Sequence, residues 1–432
     1  MRSPLAKVLH PILGRPMAGW IVGALQELGA EVVVVVHHDE ASVRAGLAPW
    51  SPRFVRQSAP RGTGDAVAAA LELLPLSGPV VVTAGDTPLL TAASVQRLLR
   101  AHQSGVTVAA FEAKDPAGYG RMVPGIGIVE DAACTAEQRL IRLVNSGLYV
   151  FDAEVLRDRL ASLQPHPPKG ELWLTDLVDA QSRIVGDFAE DEFLGVNDKG
   201  QLAEARDVLR RRTNRAHAAR GVEFSGLNDA NVDVSVECLP GASIGFGAVI
   251  AGTSVIAGEI GPGCVLHDTR VDAGARVLAG SVCEGAHVHA GAVVGPMARL
   301  RPGAEILSGA HIGNFVEVKN AVVREGAKAN HLAYLGDADV GAGANIGAGT
   351  IFCNYDGVRK HRTVIGEGAF VGSNSALVAP IEVGKGAIIG AGSTITEDVP
   401  ADAIAVERAP TKITPSSADR LRRYYRKAAE RS

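Results

Sequence analysis

The spacing of apolar residues changes near residue 225, and the two patterns predict two kinds of architecture. In the first half, apolar residues at helical spacing (15–29 and 64–74) alternate with strand-like runs. These runs are EVVVVVHH, PVVVTAGDTPLL, VTVAAFEA and SGLYVFD. Strands that alternate with helices predict a parallel, doubly wound α/β sheet. A charged helix over 201–222 is expected to link the two halves.

In the second half, branched apolar residues recur every six positions, a period that fits neither a helix nor a two-faced strand. The series comprises Ile244, Ile250 and Ile256; Val265, Val271 and Val277; Val282, Val288, Val294, Leu300, Ile306, Ile312 and Val318; Val340 and Ile346; and Ile365, Val371, Leu377, Val383, Ile389 and Ile395. Period six predicts a parallel β-helix with three hexapeptides in each coil. A generic β-sandwich is the alternative.

Two stretches interrupt the period of six. They are 319–336, which is partly repeat-like, and 352–362 (FCNYDGVRKHR), an insertion with basic and aromatic residues. Insertions in repeat proteins map to loops on one face, which is often the binding face. We therefore expect four segments: an α/β domain (1–200), the linker helix (201–222), a β-helix (223–414) and a basic C-terminal helix (415–432).

Composition supports the β-helix and excludes several classes of protein. The 50 glycines and the aromatic content of only 4% suit tight corners around a narrow interior. A net charge of −4 gives no electrostatic case for binding nucleic acid or an anionic membrane. Five scattered cysteines without a CxxC pair fit a reducing cytosol. The N-terminus lacks the apolar core of a signal peptide, and no run is long enough to span a membrane, so we expect a cytoplasmic protein.

Motifs along nearly the whole chain resemble one family, the bacterial bifunctional N-acetylglucosamine-1-phosphate uridyltransferase/glucosamine-1-phosphate acetyltransferases. The N-terminal motifs are LAKVLHPILGRPM, RGTGDA, GDTPLL, DPAGYGR, VNSG, GELWLTD and GVN, and the C-terminal ones are RLRPG, GNFVEVK, NHLAYLGDA, NIGAGT and CNYDG. The resemblance implies a Rossmann-like nucleotidyltransferase domain followed by a left-handed β-helix. It also implies synthesis of UDP-N-acetylglucosamine, Mg²⁺, the co-substrates acetyl-CoA and UTP, and a homotrimer whose acetyltransferase site lies between neighbouring β-helices.

For acetyl transfer, the resemblance singles out His331 as the base that removes a proton from the attacking amine. Histidine titrates near neutral pH and suits this role, although one histidine among twelve is more often structural. Fixed cations are needed for the sugar phosphate, and ordinary surface charges are the alternative. The implied substrate-binding residues are Arg301, Lys319, Tyr334, Asn345 and Lys360. The implied acetyl-CoA-binding residues are Ala348, Asn354, Tyr355, Ser373, Ala391 and Arg408.

For uridylyl transfer, the resemblance implies a metal site formed by Asp86 and Asn197. Asp86 follows an apolar strand, at the end where ligands of open α/β sheets bind. Mg²⁺ prefers oxygen ligands, but a Gly-Asp turn is also common without a metal. The implied nucleotide- and sugar-binding residues are Lys7, Gln57, Gly62, Thr63, Gly120, Glu130, Asn145 and Asn197.

The sequence departs from the family at its N-terminus. The family opens with a strand and a glycine-rich loop, LAAGxGTRM, that presents backbone N–H groups to nucleotide phosphates. Met1 aligns with the methionine of this loop, and Arg2 does not take the place of its arginine. Either the true start lies upstream or the protein is truncated. For the chain as written, we expect severely impaired uridylyl transfer and intact acetyl transfer.

Two functions from other classes remain as alternatives. A β-helix metalloenzyme would need three imidazoles around zinc, and His287, His289 and His311 are the candidates. A non-catalytic scaffold, built from a degenerate nucleotidyltransferase domain and a β-helix, would fit the missing loop. The complete set of acetyltransferase residues argues against it.

Overall fold

The chain forms two compact units in the computed structural model, which describes Met1 and residues 3–429. The first unit comprises Met1–Ala219 and Ala230–Ser235, and the second comprises Arg220–Asp229 and the chain from Val236 onward. Arg2 and the last three residues of the predicted C-terminal helix lie outside the described residues. The functional boundaries expected from the sequence stay predictions.

The first unit alternates helices and short strands, in the order expected for an α/β domain. Its helices are α1 (Met17–Gln26), α2 (Glu40–Gly46), α3 (Thr63–Ala69), α4 (Ala92–Ala101), α5 (Ala153–Ala161) and α6 (Lys199–Ala218). Its strands are β1 (Pro11–Ile12), β2 (Arg15–Pro16), β3 (Val33–Val36), β4 (Arg53–Arg56), β5 (Pro79–Val82), β6 (Val106–Glu112), β7 (Arg121–Val123), β8 (Gly127–Val129), β9 (Leu143–Asp152), β10 (Arg183–Val185) and a further strand, Asn231–Val232. Short 3₁₀ turns lie at Lys7–Leu9, Ala48–Trp50, Leu71–Leu73, Asp131–Ala133, Gln138–Leu140, Leu174–Leu177 and Glu190–Phe193.

The Rossmann-like α/β fold class is confirmed, but the main sheet is mixed, so the expectation of a parallel sheet was wrong for the pairings of β9. β10 pairs with β6 in parallel, whereas β9 pairs antiparallel with both β5 and β6. A parallel return needs a crossover connection, usually a helix. Between β6 and β9 the chain forms only the hairpin β7–β8 and two 3₁₀ turns, so it returns antiparallel.

Strands β3 and β5 each leave one edge without a strand partner among the described residues. β3 pairs with β4 and β5 pairs with β9, so the sheet is built in two pieces. Between them lies a cavity of about 1220 Å³, whose apolar wall includes Val33–Val35 and Val80–Val82. The same cavity reaches polar residues at the ends of these strands, which are described below.

Helix α6, predicted as a linker, packs on the core of the first unit. The Asp198 side chain caps it by accepting a hydrogen bond of 2.8 Å from the backbone N–H of Gln201. Leu202 and Leu209 are buried from this helix and pack with Leu89 and other apolar residues. This packing fixes the segment that immediately precedes the helix, GVN, against the rest of the unit.

The second unit is a left-handed parallel β-helix with three faces, called A, C and B in the order in which the chain visits them. Face A contains Glu223–Phe224, Ser243–Ile244, Glu259–Ile260, Arg276–Val277, Val293–Val294, His311–Asn314, Lys328–His331, Asn345–Ile346, Phe370–Val371, Ile388–Ile389 and Ile404–Ala405. Face C contains Val249–Ala251, Val265–His267, Val282–Glu284, Arg299–Leu300, Ile351–Cys353, Ala376–Val378 and Thr394–Ile395. Face B contains Glu237–Cys238, Val255–Ile256, Arg270–Val271, His287–Val288, Ala304–Ile306, Thr363–Ile365 and Ile381–Val383. Two longer strands, Glu317–Val323 and Tyr334–Val340, run from face C onto face B.

The period of six is confirmed for most inward positions, but two predicted positions were wrong. Val265 is 41% exposed, and Val282 also points outward, while Leu266 and Cys283 fill the interior in their place. The reason is that some corners are one or two residues shorter, which shifts the register by one position. Each fully buried branched side chain contributes about 1.5–3 kcal/mol to stability. Burial of these side chains, and not an exact spacing of six residues, therefore determines which positions point inward.

The first predicted interruption, 319–336, continues the β-helix. Its interior positions are Val323, Ala329 and Leu335, all at 0% exposure, and only one corner is shortened. The C-terminal helix α7 (Ser417–Ala429) has no buried residue. Among the described residues, no helix is long and apolar enough to cross a membrane.

Candidate active sites

The predicted metal ligands of the first unit converge on a single cation. The ammonium of Lys7 lies 2.6 Å from Asp86 Oδ2 and 2.8 Å from Asn197 Oδ1. Asp86 follows β5, and Asn197 precedes α6. The backbone N–H of Val196 donates to the carbonyl of Asp86 at 2.9 Å and joins the two segments. The structure therefore brings together three predicted residues that are far apart in the sequence.

The Asp86 and Asn197 oxygens suit Mg²⁺ as a donor set. Mg²⁺ takes oxygen ligands and usually keeps several waters when bound by one or two carboxylates. Here a carboxylate and an amide oxygen already point at the positive charge of Lys7 at the open end of the cavity. The ammonium occupies the kind of position that a hydrated cation would take, so the residues present fit the ion that the sequence implies.

The predicted nucleotide loop is held by a glycine that no other residue replaces easily. Gly62 has φ +101°, and a Cβ placed there would lie 2.5 Å from the carbonyl oxygen of Leu172. Gln57 is buried and its amide donates to Asp65 at 2.7 Å. The Thr63 hydroxyl accepts from the backbone N–H of Leu174 at 3.0 Å. These contacts dock the loop on the GELWLTD segment.

The predicted sugar-binding residues form a second cluster in the same cavity. A Cβ at Gly120 would lie 3.7 Å from both Glu130 and Asn145. Two neighbours, Tyr149 and Thr175, were not predicted. The Tyr149 hydroxyl accepts from Asn145 at 2.6 Å, and Thr175 donates to Glu130 at 2.7 Å. Burial raises the pKa of Tyr149, and the charge of Glu130 raises it further, so the phenol stays protonated.

Both of these residues lie in segments that the sequence analysis quoted, but neither was predicted to be functional. Tyr149 was interpreted as part of the strand SGLYVFD, and Thr175 as part of GELWLTD. Alternation along β9 places every second side chain on one face. Tyr149 lies four residues after Asn145 in β9, so this spacing was the signal that could have found it.

In the β-helix, three of the predicted acetyl-CoA residues, Ala348, Ser373 and Ala391, form a column along the corner that follows face A. The pairing of Asn345–Ile346 with Phe370–Val371, continued for two residues, places Ala348 opposite Ser373. The next pairing, Phe370–Val371 with Ile388–Ile389, places Ser373 opposite Ala391. We call this series of corner positions the corner column.

His331 belongs to the same corner column, one coil before Ala348. Lys328 pairs with Asn345, and the same register carried forward places His331 opposite Ala348. Asn314 pairs with His331 from the preceding coil. At the far end of the column, the Arg408 side chain lies near Gly392, 3.8 Å from where its Cβ would be. Five predicted residues therefore lie along one edge of the β-helix.

The orientation of the His331 ring is set by Asn314, a residue that the sequence did not single out. The two side chains are 2.8 Å apart, between His331 Nδ1 and Asn314 Oδ1. An amide oxygen only accepts hydrogen bonds, so the proton of the neutral ring lies on Nδ1. Nε2 then carries the lone pair that a general base needs. Asn314 stands in the quoted motif GNFVEVK, and its distance of one coil from His331 was the available signal.

Predicted phosphate-binding cations lie on face C and its border with face B. Continued pairing of Arg299–Leu300 with the strand Glu317–Val323 places Arg301 opposite Lys319 on the next coil. Arg301 forms an ion pair of 2.9 Å with Glu317, and this hydrogen bond raises the pKa of the guanidinium. Both groups are partly exposed, so the pair leaves other N–H groups of Arg301 accessible to a phosphate.

Tyr334 and the insertion 352–362 lie next to each other. The Tyr334 hydroxyl is 3.4 Å from the Asn354 amide, which also donates to Asp337. Asn354 was assigned to acetyl-CoA and Tyr334 to the sugar, so the structure joins the two predicted groups. Asn345 lies instead on face A, where it pairs with Lys328.

The insertion itself is a compact loop organised by one carboxylate. Asp356 accepts from the backbone N–H groups of Arg359 and Val358 and from the ring of His361. The bond from Arg359 is the largest of several effects that hold the pKa of this carboxyl far below its usual range. The loop places the Lys360 ammonium 4.4 Å from the centre of the Tyr355 ring, a cation–π contact.

The three histidines considered for zinc do not form one site. His311 lies on face A, where burial, followed by the charge of Lys328, lowers its pKa. His287 and His289 lie together at a different corner, with ring centres 3.7 Å apart. The three-imidazole arrangement of a β-helix zinc enzyme is therefore absent from the described residues.

Comparisons with known proteins match both units. Residues 1–189 match the MobA-like NTP transferase domain, and residues 362–397 match the bacterial transferase hexapeptide family with six repeats. Three relatives carry the name "Bifunctional protein GlmU". A protein from Thermus thermophilus is 46% identical over 94% of this chain and 93% of its own length. The protein from Paraburkholderia xenovorans is 44% identical over the same shares. The protein from Sorangium cellulosum is 42% identical over 100% of this chain and 96% of its own length.

Proposed function

The chain belongs to the bifunctional GlmU family, and from that premise we propose that it makes UDP-N-acetylglucosamine in two reactions on two units. The β-helix transfers an acetyl group from acetyl-CoA to glucosamine-1-phosphate. The α/β unit transfers UMP from UTP to N-acetylglucosamine-1-phosphate and releases pyrophosphate. The observation that carries the proposal is the corner column, in which His331 shares its register position with three of the residues assigned to acetyl-CoA, Ala348, Ser373 and Ala391.

In acetyl transfer, His331 acts as the general base. Its Nε2 takes a proton from the amine of the sugar as the nitrogen attacks the thioester carbonyl. A C–N bond forms, the C–S bond breaks, and the proton passes to the departing thiolate of CoA. Asn314 holds the ring in the tautomer that this step needs. Arg301, Lys319 and Lys360 bind the sugar phosphate, and Arg408 binds the phosphates of CoA at the far end of the column.

In uridylyl transfer, the phosphate oxygen of the sugar attacks the α-phosphorus of UTP. A new P–O bond forms, and the bond to pyrophosphate breaks. Asp86 and Asn197 would hold Mg²⁺, which when bound would neutralise part of the clustered negative charge. Lys7 adds a positive charge at the same place. Gln57, Gly62 and Thr63 hold the nucleotide on one side of the cavity.

At the sugar end, Glu130 and Asn145 line this cavity, and Gly120 lies next to both. Glu130 accepts hydrogen bonds from sugar hydroxyls, and Thr175 holds the carboxylate in place. The Asn145 side chain is likewise held by Tyr149. A Cβ at Gly120 would meet Ile128 at 2.8 Å, so glycine lets the chain pass close to Ile128 beside the Glu130 and Asn145 side chains.

The assembled enzyme is a homotrimer in the cytoplasm, where UTP and acetyl-CoA are supplied. Family membership supports this part of the proposal, as do apolar side chains exposed on face C. Four of them point outward from its strands and are 37–43% exposed: Val249, Val265, Ile351 and Val378. Such a row of exposed apolar residues is typical of a surface that pairs with another chain.

Two assays on the same preparation test the proposal. One follows CoA release from acetyl-CoA with glucosamine-1-phosphate, and the other follows pyrophosphate release from UTP with N-acetylglucosamine-1-phosphate and Mg²⁺. CoA release is expected. Pyrophosphate release in the second assay reports the activity of the α/β unit. Absence of both activities would favour the scaffold alternative.

A further inference from the structure

The corner between face B and face A carries an aspartate and two histidines that neither reaction uses. His287 and His289 are two residues apart in extended chain, so their side chains leave the same side. The pairing of Val271 with Val288 places Asp272 opposite His289 on the preceding coil. Asp272 Oδ2 lies 2.9 Å from His287 Nε2 and 3.8 Å from His289 Nδ1.

We propose that Asp272, His287 and His289 bind a divalent transition-metal ion such as Zn²⁺ and thereby clamp two consecutive coils together. One ligand atom from each residue lies within 4.8 Å of the others. Two imidazoles and a carboxylate are ligands that Zn²⁺, Co²⁺ and Ni²⁺ share. The ring centres lie 3.7 Å apart with an interplanar angle of 28°, so the two imidazoles already lie side by side above the carboxylate that both face.

The surroundings of the three residues resemble the outer shell of a metal site. Arg270 Nε donates to Asp272 Oδ1 at 2.8 Å, which orients the carboxylate so that Oδ2 faces the rings. Hydrogen bonds of this kind orient metal ligands in known sites. His289 Nε2 is buried and has no hydrogen-bond partner among the described residues. A buried ring nitrogen without a partner is uncommon in a folded protein. The other ring nitrogen, Nδ1, is the one that faces Asp272.

The charge of the surrounding positions also suits a cation. Glu305 lies in register with His287 on the next coil and adds a negative charge to the same face. The corner neighbours on the preceding and following coils, Ala257 and Leu307, are uncharged. The Arg270 guanidinium pairs with Asp272 Oδ1 at 2.8 Å and offsets part of the negative charge, but it leaves Oδ2 facing the two histidines. The three side chains are 24–28% exposed, so a hydrated ion reaches them from solvent.

Zinc binding to the full-length protein tests this site. The metal-stripped protein is titrated with Zn²⁺ by calorimetry and with Co²⁺ by visible absorption. Every protein carries Asp86→Asn, so that the Mg²⁺ ligands do not contribute. His287→Ala, His289→Ala and Asp272→Asn are each compared with the matched control His267→Ala. His267 also contacts an aspartate, Asp268, at 2.9 Å but belongs to no such cluster.

Each of the three site variants is expected to weaken zinc binding by more than about 100-fold, since even outer-shell changes cost 10–100-fold. The control should bind zinc as the parent does. Zinc should also raise the Tm of the parent and of the control, but not that of His287→Ala. The proposal is overturned if the parent binds no zinc at about 100 µM, or if the site variants bind it as tightly as the parent. Tm values measured without metal show that each variant is folded.

Discussion

The two sites of this protein are assembled in opposite ways. In the α/β unit, Lys7 reaches Asp86 across 79 residues and Asn197 across 190 residues. In the β-helix, Asn314 and His331 are 17 residues apart and occupy the same position on consecutive coils. The first site forms only when the whole domain has folded, whereas the second needs only a few neighbouring coils. Repeat proteins have stability of this local kind.

This contrast implies that the two activities respond separately to substitution. A change in the corner column should leave the cavity of the α/β unit intact, and the reverse should also hold. A substitution that affects both reactions would contradict this independence, and effects confined to one reaction would support it.

His331→Ala should lower kcat of acetyl transfer by about 10²–10⁴-fold, because general bases contribute this much. Pyrophosphate release, measured on the same sample, should not change. His267→Ala, an exposed histidine on face C, is the matched control and should retain both activities. Loss of less than tenfold would show that another group takes the proton.

Asp86→Asn should lower uridylyl transfer by about 100-fold, since metal ions supply several kcal/mol of charge stabilisation. The reason is that the variant keeps an oxygen ligand but removes the negative charge beside Lys7. CoA release should be unaffected. Asp158→Asn, at an exposed position of α5, is the control. A raised requirement for Mg²⁺ in the variant would support the assigned role, and an unchanged Mg²⁺ dependence would contradict it.

Gly62→Ala should destabilise the α/β unit by about 2–3 kcal/mol, at the upper end of the range for strained backbone. The added Cβ meets the carbonyl oxygen of Leu172 at 2.5 Å, and the residue has φ +101°. Gly78→Ala is the matched control, because Gly78 has φ +90° but open space around it. Thermal unfolding should show a smaller loss of about 1 kcal/mol for the control. Equal losses would mean that the close approach to Leu172 does not matter.

Asn314→Ala should lower acetyl transfer by about fivefold, which corresponds to one hydrogen bond of about 1 kcal/mol. Asn314→Asp gives a readout that a purely structural role would not change. A carboxylate beside His331 favours the protonated imidazolium. The acid limb of the pH profile of kcat/KM should therefore move to higher pH. An unchanged profile in Asn314→Asp would exclude Asn314 as the residue that positions His331.

Asp339→Asn should have the smallest effect, about 1 kcal/mol or less in the free energy of unfolding at pH 7. A hydrogen bond from Arg324 holds the pKa of Asp339 below its ordinary value. A lowered pKa in the folded state stabilises the protein above the unfolded value of about 3.9, and this contribution is lost as the pH falls through the folded value. The difference in Tm between parent and variant should therefore close below about pH 3. Glu367→Gln, from the exposed ion pair with Lys385, is the control and should show little difference at any pH.

The sequence predicted the β-helix better than the α/β sheet, for a physical reason. Every coil has the same narrow interior to fill, so the period of six is enough to predict that Val288, Val294 and Leu300 point inward. The corners are less regular, and for this reason Val265 was placed inside although Leu266 lies there. The direction of β9 depends on the connection before it, which no hydrophobic period encodes.

The same difference applies to the sites. His331 and Asp86 were identified through motifs that resemble a family. Their partners Asn314 and Lys7 are brought to them by register and by strand order, and only Lys7 was named in advance. The pairing of Asp272 with His289 was also invisible in the sequence, because it follows from the shortened corners between coils. Contacts between residues on neighbouring coils can be predicted from the sequence only when the length of each corner is known.

The corner column has a consequence for the length of molecule that the enzyme accepts. Neighbouring coils are spaced like strands in a sheet, so the three steps from His331 to Ala391 span about 14 Å. The number of coils therefore sets the distance between His331, the proposed proton acceptor, and the end of the column where we propose that the CoA phosphates bind. Removing or adding a coil within it would change the reach by about 5 Å, close to the spacing of strands. A thioester carrier of the wrong length would then be misplaced even with every contact residue present.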